Sequence, residues 1–368
     1  GLEALIRWQD PAGGLVPPGN FIPILEETGL IVDVGRWALE QAVADYQAWF
    51  AAGLQPPRIA VNVSAVQLRR KDFLTTLEKV LSRRQGPRDY LDLELTESIL
   101  MEDIEANVRR LGAAREMGVK IAIDDFGTGY SSLSYLKRFP IDLLKIDMSF
   151  VRDITTDPDA AAICIAVIGL AHNLKLKVLA EGVETAGQMN YLRRHHCDEM
   201  QGYLFSRPLP ADACAQLFAA HTTLELPAEA ASEAKTLLIV DDESNVLQAL
   251  RRVLRKDGYE ILSAGSAREG FDILANHEVQ VILSDQRMPE MSGTEFLSRV
   301  RELYPDTIRI VLSGYTDLQS ITEAVNRGAI YRFLTKPWDE DLLRDHIREA
   351  FRYQEVSTQH QRYPAGQK

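Results

Sequence analysis

Cysteine is scarce: Cys164, Cys197 and Cys214 are the three in 368 residues. An odd number without paired spacing excludes a disulfide framework and a zinc cluster, and fits a reducing, cytoplasmic setting. The run His195-His196-Cys197-Asp198 has no second ligand pair at zinc spacing, so it reads as structural or surface. Long apolar runs are lacking too. The longest, Ala160 to Ala171, is 12 residues, short of the ~18 that a bilayer crossing needs, and reads as a buried helix. No signal-peptide pattern is visible, and nothing in the segment points to membrane insertion. Positive charge is in deficit: 41 Lys and Arg against 53 Asp and Glu give a formal charge of -12. That argues against a binder of nucleic-acid polymers or anionic membranes, whose phosphates need Lys and Arg to displace counterions. A small phosphate ligand stays compatible if metals and a few local cations hold it.

What is present is ordinary globular material, 46% hydrophobic and 26% charged, in a length that suits two domains. Residues 222–235 thin to TTLELPAEAASEAK, without aromatics, and read as an exposed linker between a domain at 1–221 and another at 236–353, with a polar, frayed tail at 354–368. Upstream, β-type runs alternate with helical stretches such as Arg36 to Ala52 and Ile104 to Met117. The runs are EALIRW, RIAVNVS, YLDLELT, VKIAIDD, DLLKID, LKVLAEG and MQGYLF. Repeated strand-helix units predict a parallel sheet, closed into a barrel or doubly wound.

The polar residues choose between these. Glu3, Asn62, Glu94, Asp124, Asp125, Lys145, Asp147 and Glu181 stand at the carboxyl ends of the runs. A parallel barrel gathers residues from many strands at that face, whereas an open sheet spreads them along an edge. Carboxylates repel one another and are costly to desolvate, so this many together predicts divalent cations held by oxygen ligands, and phosphate-ester hydrolysis is the chemistry to suspect first. Seven such runs, rather than eight, predict a barrel whose first strand lies upstream of Gly1, in a chain cut from a larger protein.

Downstream, TLLIVDD, YEILSAG, VQVILSD, IRIVLSG and IYRFLTK alternate with helices near Asn245 to Lys256, Ala267 to Ala275, Gly293 to Leu303, Leu318 to Arg327 and Asp339 to Phe351. Five strands and five helices predict a doubly wound, flavodoxin-like sheet with its site at the switch point.

Seven sequence blocks now stand in order: EAL at 3–5, VNVSAVQ at 61–67, LELTES at 93–98, DDFGTGYSSL at 124–133, KID at 145–147, EGVET at 181–185 and QGYLFSRPL at 201–209. Together they resemble the EAL domain, a family of cyclic di-GMP phosphodiesterases with a TIM-like barrel. The resemblance implies that Glu3, Asn62, Glu94 and Asp124 hold one Mg²⁺ or Mn²⁺, and that Asp124 bridges to a second held with Asp125 and Glu181. It further implies that Lys145 steers the attacking water, with Gln201 in support. Arg7, Gln67 and Gln201 take substrate-binding roles. Glu97 anchors the DDFGTGYSSL loop, in which Gly127 and Gly129 allow unusual backbone conformations and Ser131 and Ser132 can satisfy exposed amides. Asp147 either takes part in the site or orients its neighbours. No position of the ligand set is degraded, which favours an enzyme that makes linear pGpG over a silent receptor of the dinucleotide signalling through a protein partner. A homodimer is the expected assembly.

Residues 236–353 resemble a response-regulator receiver. Asp241, Asp242 and Asp285 would hold one Mg²⁺, with Asp285 accepting a phosphoryl group from a histidine kinase or a small phosphodonor. Lys336 would pair with the product charge, Ser313 would hydrogen-bond it, and Phe333 matches the switch aromatic. The stretches SDQRMP and KPW resemble receivers joined to signalling enzymes. Phosphorylation would regulate the barrel, through its dimerisation, with a sign that the sequence leaves open. A receiver serving only as a dimerisation module is the reading that the intact acidic pocket disfavours.

Overall fold

A computed structural model describes residues 1–82, 90–101, 103–127, 136–224, 235–314 and 328–362. The chain separates into two compact units, one carrying each of its two large sheets. Among the described residues, no helix is long and apolar enough to cross a membrane.

The first unit starts with β1 (Leu2–Ala4) and an antiparallel hairpin of β2 (Trp8–Gln9) and β3 (Leu15–Val16). EALIRW, read above as one run, is therefore split. Asp10 and the glycines after it turn the chain, with the Gly13 amide donating to the Asp10 carbonyl at 2.8 Å and Gly13 at φ +92°. Two helices follow, α1 (Pro18–Thr28) and α2 (Ile31–Ala51). The prolines around α1 masked it in the sequence, although Pro18 sits in the first turn, where no intrahelical donor is lost. Gly29, at φ +75°, ends α1 and lets α2 begin five residues before the predicted Arg36. The buried stripe of α2, Ile31, Gly35, Leu39, Ala42, Val43, Tyr46 and Trp49, recurs at helical spacing.

The strands β4 (Ile59–Asn62), β5 (Leu91–Thr96), β6 (Lys120–Phe126), β7 (Leu143–Ile146), β8 (Lys177–Ala180) and β9 (Glu199–Met200) complete a seven-stranded sheet in the order β1-β4-β5-β6-β7-β8-β9, every pair parallel. Sequential order is what strand-helix repeats generate. The strand interiors, including Leu93, Leu95, Ile121, Ile123, Leu144 and Ile146, are at most 1% exposed. They alternate along their strands and pair in register, so they share one face of the sheet, opposite the face that carries Glu94, Ala122 and Lys145. The sheet curls far enough for side chains at its two edge strands to meet, since Gln201, just after β9, donates to Glu3 in β1 at 2.6 Å.

The apolar run Ala160 to Ala171 lies in a helix, Pro158–Asn173, as expected, but it is not buried all round. Ile163 and Ile165 are 37% and 39% exposed while Cys164, Val167, Ile168 and Ala171 are buried, since only one stripe of a surface helix can face the core.

In the second unit, β10 (Thr236–Val240), β11 (Glu260–Ala264), β12 (Val281–Asp285), β13 (Ile308–Ser313) and β14 (Arg332–Thr335) form a parallel sheet in the order β11-β10-β12-β13-β14. That is the doubly wound arrangement, with its switch point beside β10. Leu237, Ile239, Leu283, Ile310 and Leu312 pack on one face with Leu250, Leu254, Ile347 and Phe351. The helix predicted at Leu318 to Arg327 lies outside the described residues. The last helix runs Glu340–Arg362, beyond the predicted Phe351 and into the tail at 354–368 expected to be frayed. Residues 354–362 hold neither Gly nor Pro, so nothing local stops the helix before Pro364.

Candidate functional site

Each strand of the first sheet delivers a polar group at its carboxyl end. Glu3 lies in β1, Asn62 ends β4, Glu94 lies in β5, Asp124 and Asp125 in β6, Lys145 in β7, and Glu181 and Gln201 directly follow β8 and β9. Glu3 is held from both sides: its Oε1 accepts from the Asn62 amide at 2.8 Å and its Oε2 from Gln201 Nε2 at 2.6 Å. Lys145 stands in the middle, wholly buried. Its Nζ is 2.5 Å from Glu181, 2.9 Å from Glu94, 3.2 Å from Asp124 and 3.8 Å from Glu3.

Carboxylate oxygens of Glu3, Glu94 and Asp124 lie within 4.8 Å of one another, and so do those of Asp124, Asp125 and Glu181. Two acidic triads thus share Asp124. Consecutive strand residues normally point to opposite faces, which would send Asp125 away. A register shift between Ile123 and Phe126, with Asp125 at φ +55°, brings both aspartates to one mouth. Asp124 Oδ1 accepts from the Asp125 amide at 3.0 Å and ties the bulge. Nothing in the DD doublet announced this; the signal available was a doublet at a strand end, where bulges gather.

Burial pushes the Glu94 carboxyl up to about 8, with Lys145 opposing and Glu3 and Asp124 adding to the rise. Burial likewise takes Glu181 to about 7 and raises Asp125, which also faces Asp124 and Asp147. Burial alone would lower Lys145, but Glu94, Glu3, Asp124 and Glu181 together hold it above the ordinary lysine range. The site is therefore a concentration of negative charge that one ammonium offsets only in part.

Other expected residues stand nearby or apart. The Asp147 carboxylate accepts from the Ser149 amide at 3.0 Å and from its hydroxyl, capping the helix Met148–Arg152, and also faces Asp125. Glu97, 3% exposed, accepts from the Gly127 amide at 3.2 Å, where the loop leaves β6. Gly129, Ser131 and Ser132 lie outside the described residues. Arg7 is not brought into the cluster; it is exposed and donates to the Ile6 carbonyl at 2.9 Å. Gln67 is 6% exposed and its side chain is engaged within its own turn. In the His195–Asp198 run, the Asp198 carboxylate accepts from the Val178 amide and pairs with His172, both at 2.9 Å, a structural use.

In the second unit, Asp241 and Asp242 follow β10 and Asp285 ends β12, the two strands at the switch point. Their carboxylate oxygens lie within 4.8 Å of one another. Lys336 Nζ reaches Asp285 at 2.6 Å and Asp241 at 2.9 Å. Burial raises the Asp285 carboxyl, opposed by Lys336. Ser313, 2% exposed, ends β13, while Phe333 in β14 is 40% exposed and turned outward. Sequence reasoning missed Gln286, whose side chain accepts from the Thr294 amide at 3.1 Å and donates to the Thr294 hydroxyl at 3.2 Å. It also missed the close approach at Gly293, where a Cβ would come within 2.0 Å of the Asp285 carbonyl oxygen. The SDQRMP stretch was the available signal.

The EAL domain family model matches residues 1–208, more than half of the chain. The chain belongs to the EAL domain family. A response regulator receiver domain matches residues 237–348, so the chain joins an EAL domain to a receiver. The bifunctional diguanylate cyclase/cyclic di-GMP phosphodiesterase MucR of Pseudomonas aeruginosa is 45% identical over 58% of this chain and 31% of its own length. The cyclic di-GMP phosphodiesterase PdeR of Escherichia coli is 44% identical over 58% of this chain and 32% of its own. A solved structure described as the PaMucR phosphodiesterase in complex with c-di-GMP is 45% identical, with a TM-score of 0.56, covering 58% of this chain and 86% of that one. The EAL domain therefore has a TIM-like barrel, and the chain spans about a third of the length of these two curated relatives.

Proposed function

We propose that this chain is a metal-dependent phosphodiesterase that opens cyclic di-GMP to linear pGpG, and that its receiver regulates the reaction through phosphorylation of Asp285. The observation that carries the reading is the pair of acidic triads sharing Asp124 with Lys145 between them. The donors are all oxygens, and their mutual spacing suits cation–oxygen distances of about 2.0–2.6 Å, the chemistry of Mg²⁺ or Mn²⁺. Glu3, Asn62, Glu94 and Asp124 would hold one ion, and Asp124, Asp125 and Glu181 the other. Bound there, such ions supply the charge that acidifies an attacking water and neutralises the phosphoryl oxygens.

The chain's own groups do the rest. Lys145 orients the water and stays protonated, because its four carboxylate neighbours disfavour the neutral amine. Gln201 and Asn62 each donate to one oxygen of Glu3 and so fix its carboxylate in place. Arg7, exposed and bonded only locally in the described contacts, is available to a substrate phosphate as a guanidinium fork. Glu97 holds the start of the loop beside the second triad. The named activities of MucR and PdeR support the substrate. In the receiver, Asp241, Asp242 and Asp285 would hold one further Mg²⁺, and Lys336 would pair with the phosphoryl group carried by Asp285.

Incubating the chain with cyclic di-GMP and Mg²⁺ or Mn²⁺, then chromatographing for pGpG, tests the reading. Hydrolysis that disappears on chelation, and changes with a phosphoryl mimic in the receiver of the unaltered chain but not of D285N, is the expected result. Tight dinucleotide binding without product would overturn the enzyme in favour of a silent receptor.

A further inference from the structure

The Asn62 side chain, exposed at the last residue of β4, donates to Glu3 at 2.8 Å, and something must hold that strand end. Beyond it, the Val63 amide donates to the Glu94 carbonyl at 2.9 Å, and the chain turns at Ser64 into α3 (Ala65–Arg69). The turn is locked reciprocally. The Gln67 amide donates to Ser64 Oγ at 3.2 Å, and Gln67 Oε1 accepts from the Ser64 amide at 3.2 Å.

A second observation, on another helix, bears on the same side chain. Gly35 in α2 packs directly against the Gln67 carboxamide, so that a Cβ there would come to 2.0 Å from Nε2, 2.3 Å from Cδ and 2.5 Å from Oε1. Glycine in mid-helix is unfavourable for the helix itself, yet here it opens the slot that Gln67 fills. α2 is thereby keyed to the turn that carries Asn62.

We infer that Gln67 is a positioning residue for the barrel's metal centre, acting through Ser64 and Asn62 from the slot at Gly35 rather than by touching substrate. The inference rests on the phosphodiesterase reading for its metal site. Groups that orient metal ligands typically contribute on the order of 10- to 100-fold to metal affinity.

The test uses the full chain with the receiver's acidic set removed by D241N/D285N, alone and combined with Q67A, Q67E or G35A, with Mn²⁺ binding measured by calorimetry without substrate and KM for cyclic di-GMP measured at saturating Mn²⁺. Q67A and G35A should weaken Mn²⁺ binding on the order of tenfold and leave KM close to that of the D241N/D285N chain. Q67E, which retains the oxygen acceptor, should restore most of the affinity. A raised KM with unchanged Mn²⁺ binding would overturn the inference and make Gln67 a substrate contact. Unchanged binding in Q67A, or a Q67E as weak as Q67A, would overturn it as well. Should G35A fail to fold by circular dichroism, the two Gln67 variants decide. Should the D241N/D285N chain bind Mn²⁺ without hydrolysing the dinucleotide, the enzyme reading falls while calorimetry still judges Gln67; absence of Mn²⁺ binding would overturn both.

Discussion

The barrel and the receiver solve one electrostatic problem at two scales. In the barrel, five carboxylates of two linked triads gather, four of them paired with a wholly buried lysine; in the receiver, three gather, two of them paired with a lysine whose side chain is 24% exposed. Subtracting the ammonium from fully ionised carboxylates leaves four negative charges in the first site and two in the second, matching two divalent cations and one. Closure makes the difference. A curled sheet brings Glu3 and Gln201, 198 positions apart, within 2.6 Å, whereas an open sheet assembles groups only where its strand order reverses. Burial pushes Glu94 and Glu181 up to about 8 and about 7, so without metal protons can take the place of cations.

The comparison breaks first at the lysines. K145M removes the one buried countercharge of the barrel, and hydrolysis of cyclic di-GMP should fall by on the order of 10²- to 10⁴-fold in a product-release assay. K336M should leave that basal rate in place while abolishing stable phosphoryl labelling of the receiver. Loss of both activities in either variant would show that the two sites are not separate.

Metal dependence of stability sharpens the contrast next. Glu94 and Glu181 bind protons more tightly folded than unfolded, so the native state carries extra protons from about pH 4.5 up to about 7 and 8. Stability of the metal-free barrel should be greatest below that window and decline as pH rises through it. Saturating Mn²⁺ should oppose the decline, since a cation favours the ionised carboxylates. Thermal unfolding midpoints at pH 5 and pH 8, with and without Mn²⁺, check this; a metal-free midpoint that rises with pH would refute it.

Two glycines give the smallest effects. G293A places a Cβ within 2.0 Å of the Asp285 carbonyl and should cost about 1–3 kcal/mol in denaturant unfolding. G112A, inside the helix Ile104–Glu116 with nothing within 4 Å, should instead gain about 0.5–1 kcal/mol. Opposite signs are the expected outcome.

Much of this was legible in the chain. Apolar runs ending in Glu94, Asp124, Lys145 and Glu181 announced parallel strands with a common polar mouth, and six of the seven predicted runs hold strands of the sheet, whereas the seventh, MQGYLF, shares only Met200 with β9. Less legible was anything that depends on one residue's backbone. The bulge that turns Asp125 inward leaves no mark in a hydrophobic pattern, nor does the split of EALIRW after Ala4. Gln67 stood in a motif block as a substrate contact; that its side chain is engaged in a turn beside Gly35 is a fact about packing between two helices.

The sequence by itself determined which groups exist, their chemistry and the strands that carry them, because period-two burial and strand-end polarity are local properties of a chain. Only the tertiary structure decided which oxygens meet, that Asp124 belongs to both triads, and that Lys145 sits among four carboxylates. Those relations depend on sheet curvature and on side-chain packing between distant segments, and neither is encoded at any single position.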